Sequence, residues 1–125
     1  MIQYNDALDV REKVCSIASN AEFKHVVLER LSCVRSRGSS SRRVIARCYA
    51  LPRIMQKALN VLPHYIIEVI SERFDGLSED EKTKTLIHEL MHIPKSFGGG
   101  FLHHNVVNSR TVEKMWQKLK NKNSL

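Results

Sequence analysis

The stretch Ile87-His-Glu-Leu-Met-His-Ile-Pro94 is where the interpretation of this chain begins. Histidines four residues apart on a helix lie about 40° apart around its axis, so the imidazoles of His88 and His92 can bind one metal ion together. Glu89 follows the first histidine and can reach a water molecule held by that ion. This HExxH spacing specifies only three residues, so its meaning depends on a helix here and on a third ligand downstream.

Signals on both sides of the motif predict a helix over residues 79–93. Ser78-Glu-Asp-Glu81 is a capping box: the Ser78 hydroxyl can accept from the Glu81 amide, and the Glu81 carboxylate can reach back to the start of the helix. Apolar residues then recur at helical spacing. Pro94 ends the helix. Both histidines of the motif are therefore expected in its last turns.

A run of three glycines follows this helix and predicts a returning loop. Gly98-Gly-Gly100 permits positive φ, so the chain can reverse and bring His103 or His104 back to the helix. Two helical histidines and one loop histidine would leave a fourth position open for water, as in catalytic zinc sites. With Glu89 as the general base, this set is typical of zinc metallopeptidases. The residues alone leave the choice between the two loop histidines open.

The motif, the glycine turn and the histidine pair resemble the compact metallopeptidases found in archaeal and phage genomes, which belong to the zincin class. The resemblance covers roughly residues 25–105. It implies one Zn²⁺ ion bound by His88, His92 and, in preference to His103, His104, with Glu89 as the general base. The strict metzincin pattern HExxHxxGxxH is absent. The upstream blocks that carry the resemblance are Cys33-Val-Arg-Ser-Arg-Gly-Ser39, Ala46-Arg-Cys-Tyr49, Leu51-Pro-Arg-Ile54 and Tyr65-Ile-Ile-Glu-Val69.

The fold predicted from these signals is α+β, a minimal zincin-like domain that spans residues 1–125. A small antiparallel or mixed sheet should pack on an N-terminal helix, the motif helix and a C-terminal helix. Asp6 is expected to cap the first helix, and Asn108 or Ser109 the last. The predicted elements are a helix over 6–21, a hairpin over 31–50, a short helix over 52–59, a strand over 65–71 and a C-terminal helix over 109–121.

Substrate contacts are predicted at the sheet. In zincins a strand just before the motif helix commonly forms the sheet edge over the cleft, so the resemblance implies that strand 65–71 or the hairpin binds extended peptide by strand addition. An ordinary interior strand is the alternative for residues 65–71. A developing oxyanion also needs a second electrophile. His103, Tyr65 and Arg110 are the candidates, and the sequence does not rank them.

The charge balance suggests a second type of partner. The 125 residues carry a formal net charge of +7. Arg37, Arg42 and Arg43 lie at the flexible tip of the predicted hairpin and are candidate nucleic-acid contacts, with solubility as the alternative. Few aromatic residues are present, so no base-stacking platform is evident. The two basic clusters are Arg35, Arg37, Arg42, Arg43, Arg47 and Arg53, and Lys114, Lys118, Lys120 and Lys122.

The cysteines and the apolar runs indicate the compartment in which the protein is expected. Cys15, Cys33 and Cys48 form no CxxC pair, so a cysteine zinc site is not expected. Cys33 and Cys48 lie on two predicted strands and could face one another, although reduced thiols are the simpler expectation. No apolar run is long enough for a transmembrane helix and no secretory signal is visible, so the expected location is the cytoplasm, without membrane association.

These features together predict zinc-dependent hydrolysis of a peptide or protein substrate, with Glu89 activating a zinc-polarised water. The alternatives are a basic nucleic-acid-associated module with a structural metal, and a protease recruited to DNA. A catalytically silent interaction protein that keeps a zincin shape is a further alternative. The sequence does not predict an oligomeric state.

Overall fold

Residues 1–122, which the computed structural model describes, form a four-stranded mixed sheet and five α-helices. The predicted α+β class with a small sheet is confirmed. The strands are β1 (Gln3–Asp6), β2 (Leu31–Arg37), β3 (Ala46–Ala50) and β4 (Tyr65–Ile70). The helices are α1 (Leu8–Ala18), α2 (Arg53–Leu59), α3 (Ser71–Phe74), α4 (Glu79–Met91) and α5 (Ser109–Asn121).

The strand order β1-β2-β4-β3 contradicts the predicted hairpin over residues 31–50. Both of its strands exist, but β4 lies between them, parallel to β2 and antiparallel to β3. The physical reason is burial. Tyr65, Ile67 and Val69 of β4 are fully buried, whereas alternate residues of β3 are exposed. The most apolar strand therefore takes an interior position, and β3 becomes an edge.

The strand β1 was not predicted from the sequence. Its four residues are all exposed, so it shows no hydrophobic alternation, and it pairs antiparallel with β2. Asp6, expected as a helix cap, is the last residue of this strand. The Ala7 amide then donates to the Cys33 carbonyl at 3.1 Å, and α1 begins at Leu8. The predicted helix over 6–21 is therefore shorter at both ends.

Helices α1 and α4 cover one face of the sheet, and α5 packs on α4. Val14, Leu86 and Leu90 are fully buried in the core between these helices and the sheet. The C-terminal helix has the predicted bounds. It begins after a complete capping box of Asn108 and Thr111. Within residues 1–122, none of the helices has the length and the apolar composition that a membrane span needs.

Candidate metal centre

The helix α4 begins and ends close to the predicted positions. The Ser78 hydroxyl accepts from the Glu81 amide at 3.2 Å, but the Glu81 carboxylate lies 4.0 Å from Lys84 Nζ instead of completing the capping box. The helix runs to Met91, and His92 is its C-terminal cap. His88 and His92 thus lie in the last turn and at the cap, on the same side of the helix.

Three imidazoles converge at this helix end. One ring nitrogen from each of His88, His92 and His104 lies within 4.8 Å of the others. The ring centroids of His88 and His92 are 4.9 Å apart, and that of His104 lies 5.5 Å from the first and 5.0 Å from the second. In a tetrahedral site with Zn–N distances of about 2.0–2.1 Å the ligand nitrogens are about 3.3 Å apart. The three nitrogens must therefore move closer together to bind one ion.

The loop that follows α4 is tied to it through His92. We call residues 94–104 the metal loop. The Leu102 amide donates to the His92 carbonyl at 2.8 Å, and Nδ1 of the His92 ring donates to the Leu102 carbonyl. The ring also stacks on Phe101 at 4.4 Å between centroids. A hydrogen bond at Nδ1 fixes the tautomer and leaves Nε2 as the metal-binding nitrogen.

The protonation states also suit a metal. Burial, followed by the neighbouring His92 and His104, lowers the pKa of His88 to about 4. Burial likewise lowers the pKa of His92. Both imidazoles are therefore neutral at pH 7, which is the form that binds metal. An all-nitrogen set of three histidines is a donor set that Zn²⁺ accepts in catalytic sites.

Glu89 lies beside this cluster. It is buried at 6% exposure, and burial raises the pKa of its carboxyl group to about 7. A carboxylate whose pKa lies near the working pH can both accept and return a proton. The position and the environment of Glu89 therefore suit a general base.

The histidines and Glu89 open into a cleft of about 710 Å³. One wall is the segment Arg43–Tyr49, which includes most of β3, and the other is formed by α4 and the start of α5. The amide of Ile70 donates to the Ile45 carbonyl, and the amide of Leu51 donates to the His64 carbonyl, each at 2.9 Å. In antiparallel pairing the alternate residues then turn their backbone groups outward. These are Ala46, Cys48 and Ala50, so the cleft has a free strand edge as a wall.

The comparison with known families agrees with this geometry. A family model described as "Putative phage metallopeptidase" matches residues 2–123. The chain belongs to this family. This match confirms the resemblance to phage metallopeptidases that the motif indicated. No curated protein and no solved structure shows a significant match to the chain.

In this phage metallopeptidase-family protein, His103 and His104 differ in position. Both are exposed, but only His104 joins the cluster, whereas His103 lies against Phe101, with 5.3 Å between ring centroids. The geometry therefore favours His104 as the third ligand. The two residues are adjacent and chemically alike, so the sequence itself held no signal that separates them. The three-ligand set stays a prediction that metal binding can test.

None of the three candidates for the second electrophile lines the cleft. The Tyr65 hydroxyl is bonded to the metal loop, accepting from the Gly99 amide at 3.0 Å and donating to the Gly100 carbonyl at 2.7 Å. Its side chain is fully buried, so it is not available to a substrate. Neither His103 nor Arg110 is among the residues that line the cleft. Tyr65 is an important residue here, but for a reason that the sequence did not indicate.

The basic residues predicted to bind nucleic acid lie beside the cleft. We call residues 37–45 the basic loop, because Arg37, Arg42 and Arg43 are all exposed in it and Arg43 lines the cleft. Arg35, from the same predicted cluster, is instead held in ion pairs with Asp9 and Asp75, each at 2.8 Å. The charge available to a partner therefore lies in the basic loop and on the exposed Arg47 and Arg53 of the same cluster.

All three cysteines are free thiols. Cys33 and Cys48 lie on opposite sides of β4, each opposite Ile67, so an intervening strand separates them. The predicted reduced state thus has a structural reason. Burial raises the pKa of Cys48, with the Glu89 charge as a smaller contribution, so this thiol stays protonated at the cleft wall.

Proposed function

We propose that the protein is a zinc-dependent metallopeptidase that hydrolyses peptide bonds, with His88, His92 and His104 holding the ion and Glu89 as the general base. The observation that carries this proposal is the convergence of the three imidazoles in a cleft that Glu89 also lines. A bound Zn²⁺ ion supplies a Lewis acid that polarises a water molecule and the scissile carbonyl. Membership of the phage metallopeptidase family supports the reaction class.

The protein's own residues account for the proton transfers. Glu89 is buried and carries a raised pKa, so it can take a proton from the attacking water and deliver it to the leaving amine. His92 keeps its orientation through the bond from Nδ1 to the Leu102 carbonyl. Burial around Glu89 limits competing solvent. The proton transfers therefore require no group outside the cleft.

The free edge of β3 gives a mode of substrate binding. An extended peptide that lies along the cleft can pair with the outward backbone groups of Ala46 and Cys48, which is strand addition. Backbone pairing places a peptide bond beside the histidine cluster without requiring a particular side chain. Of the two strands considered from the sequence, β3 is at the edge and β4 is interior. Extended or unfolded protein segments are therefore the proposed substrates.

The test of the reaction is the substitution Glu89→Gln, which removes the base and keeps the size of the side chain. We expect one equivalent of zinc to bind as in the wild type, while cleavage of casein or of a peptide library falls by about 10²–10⁴-fold. Glu113→Gln is the matched control, because Glu113 also lines the cleft but lies on α5. Full activity of Glu89→Gln would end the assignment of the base.

The exposed arginines of the basic loop support a second candidate function, in which the peptidase is recruited to nucleic acid. None of Arg37, Arg42 and Arg43 takes part in an ion pair within the described residues 1–122. Replacing all three by Ser should lower the slope of log affinity against log salt for duplex DNA by about two to three. As a control, replacing the exposed Lys24, Lys57 and Lys95 by Ser removes the same number of positive charges. Equal slopes for the two variants would leave no role for the loop.

We further propose that the protein works in the cytoplasm. Its three thiols are free, and reducing compartments keep cysteines in this state. A thiol titration of the protein isolated under non-reducing conditions should find all three. Recovery of a disulfide from cells would contradict this location.

A further inference from the structure

The metal loop carries His104 without any helix or strand of its own. Residues 94–104 contain neither element, and two positions have left-handed backbone, Phe97 at φ 47° and Gly99 at φ 109°. A segment of this kind is free to take several paths unless other parts of the molecule fix it. What holds the loop in place therefore decides whether its histidine reaches the two on α4.

Tyr65, the first residue of β4, makes three of the contacts that hold the loop. Its hydroxyl accepts from the Gly99 amide at 3.0 Å and donates to the Gly100 carbonyl at 2.7 Å. Its ring packs on Phe97 with 4.8 Å between centroids. Because the side chain is fully buried, its hydroxyl depends on these two backbone groups as hydrogen-bond partners.

A second contact restricts the loop from the other side. The Gln56 side-chain amide donates to the Leu51 carbonyl at 2.9 Å and to the Gly98 carbonyl at 3.4 Å. A Cβ atom built on Gly99 would lie only 2.6 Å from Gln56 Nε2. The glycine backbone thus passes so close to Gln56 that a side chain at this position would displace the Gln56 amide.

We propose that Tyr65 is a positioning residue of the metal centre: its hydroxyl fixes the backbone of Gly99 and Gly100, so that the metal loop brings His104 to His88 and His92. This inference rests on the metal site of the proposed function. The effect is transmitted along a short path, since His104 follows Gly100 by four residues and Leu102 between them is bonded to His92. Tyr65 itself does not line the cleft.

The experiment compares Tyr65→Phe with Tyr49→Phe. Tyr65 and Tyr49 lie on the neighbouring strands β4 and β3, and each variant loses one tyrosine hydroxyl. The Tyr49 hydroxyl donates to Glu68 at 2.6 Å, whereas the Tyr65 hydroxyl is bonded to the metal loop. Zinc affinity is measured by competition with a chromophoric chelator, and the visible absorption of the Co²⁺-loaded protein reports the ligand geometry. We expect Tyr65→Phe to bind zinc about 10–100-fold more weakly, as for loss of a residue that orients ligands, and to show a weaker Co²⁺ band. Tyr49→Phe should match the wild type in both.

The outcomes separate this inference from the proposal that it extends. If the wild type binds no zinc, both fail together. If the wild type binds zinc and Tyr65→Phe binds it equally well, only the positioning role is overturned. Amide hydrogen exchange of the metal-free wild type gives a check that needs no variant to fold: the Gly99 amide should exchange slowly. Fast exchange there, comparable to that of an exposed glycine, would also overturn the proposal.

Discussion

The metal loop and the basic loop lie along the same cleft, yet they are held very differently. The metal loop is bonded to Tyr65, to Gln56 and twice to His92. Between Arg37, which ends β2, and Ile45, whose carbonyl accepts from the Ile70 amide, the basic loop is bonded to α3 through two contacts, from the Gly38 amide to Glu72 and from Arg73 to the Ser41 carbonyl. Both loops contain a glycine at positive φ, Gly99 and Gly38.

The difference follows from what each loop is proposed to do. A metal ligand must stay within a fraction of an ångström of its position, because coordination depends steeply on distance and angle. Exposed arginines act on a partner through longer-range charge, which tolerates movement. The hydrogen bonds that tie a loop to the rest of the molecule therefore separate a ligand-bearing loop from a surface loop in this protein, although the two have similar turn residues.

The largest effect is expected for His104→Ala. Removal of a direct ligand should weaken zinc binding by more than about 100-fold, beyond the range for residues that only orient ligands. His103→Ala is the matched control, because this neighbouring side chain is exposed like His104 but lies outside the histidine cluster. Its zinc affinity should equal that of the wild type. The measurement is chelator competition, with the shift in thermal midpoint on adding zinc as a second readout.

The converse result would be decisive for the loop. If His103→Ala lost zinc and His104→Ala kept it, the metal loop would have a different path when the ion is bound. The segment between Gly100 and His104 would then have to change conformation. That outcome would also remove the contrast between the two loops.

An intermediate effect is expected from Gly99→Ala and Gly38→Ala, which place the same methyl group in both loops. Each position has positive φ, 109° at Gly99 and 93° at Gly38, so each variant should lose about 1–2 kcal/mol of unfolding free energy. Only Gly99→Ala should also weaken zinc binding, because its Cβ would displace Gln56 and with it the metal loop. Denaturant unfolding and chelator competition measure the two quantities. Equal zinc affinities in the two variants would show that the metal loop adapts freely.

The smallest effect concerns a reference site away from both loops. The hydrogen bond from Arg35 lowers the pKa of Asp9 to about 2, against an ordinary value of 3.8. The folded state therefore favours the carboxylate, and its contribution to stability is complete above about pH 4 and is lost as the pH falls toward 2. The contribution should stay below about 1 kcal/mol, because the Asp9 side chain is 64% exposed and screened by solvent.

Asp9→Asn provides the measurement. The difference in unfolding free energy between wild type and variant should be present at pH 6 and shrink toward pH 2.5, while zinc affinity at pH 7 stays unchanged. A difference that grows as the pH falls would show that the sign is wrong. A change in zinc affinity would mean that the ion pairs of Arg35 reach the metal loop.

The sequence predicted the parts of the site that are local in the chain. The ends of α4, the positions of His88, Glu89 and His92, and the bounds of α5 all follow from caps and from helical spacing within one element. The family resemblance added the preference for His104. These predictions needed no knowledge of how distant segments meet.

The pairing of strands that are distant in the sequence could not be predicted from such local signals. The segments that became β2 and β3 are joined by a short glycine- and serine-containing turn, which is also what a hairpin requires. The buried, central position of β4 in the structure shows that this strand lies between β2 and β3. The strand β1 has no apolar face, so the sequence shows no hydrophobic alternation there. The role of Tyr65 likewise depends on a contact between residues 34 and 35 positions apart.

The insertion of β4 between β2 and β3 also has a consequence for how the chain folds. Leu31 pairs with Tyr65, so neither β2 nor β3 has its interior neighbour until the chain has been synthesised past residue 70. Pairings at such separation close slowly, because a long flexible segment must be ordered before they contribute. We therefore expect the sheet to form late, with the cleft that β3 lines maturing only after β4 has taken its place between its neighbours.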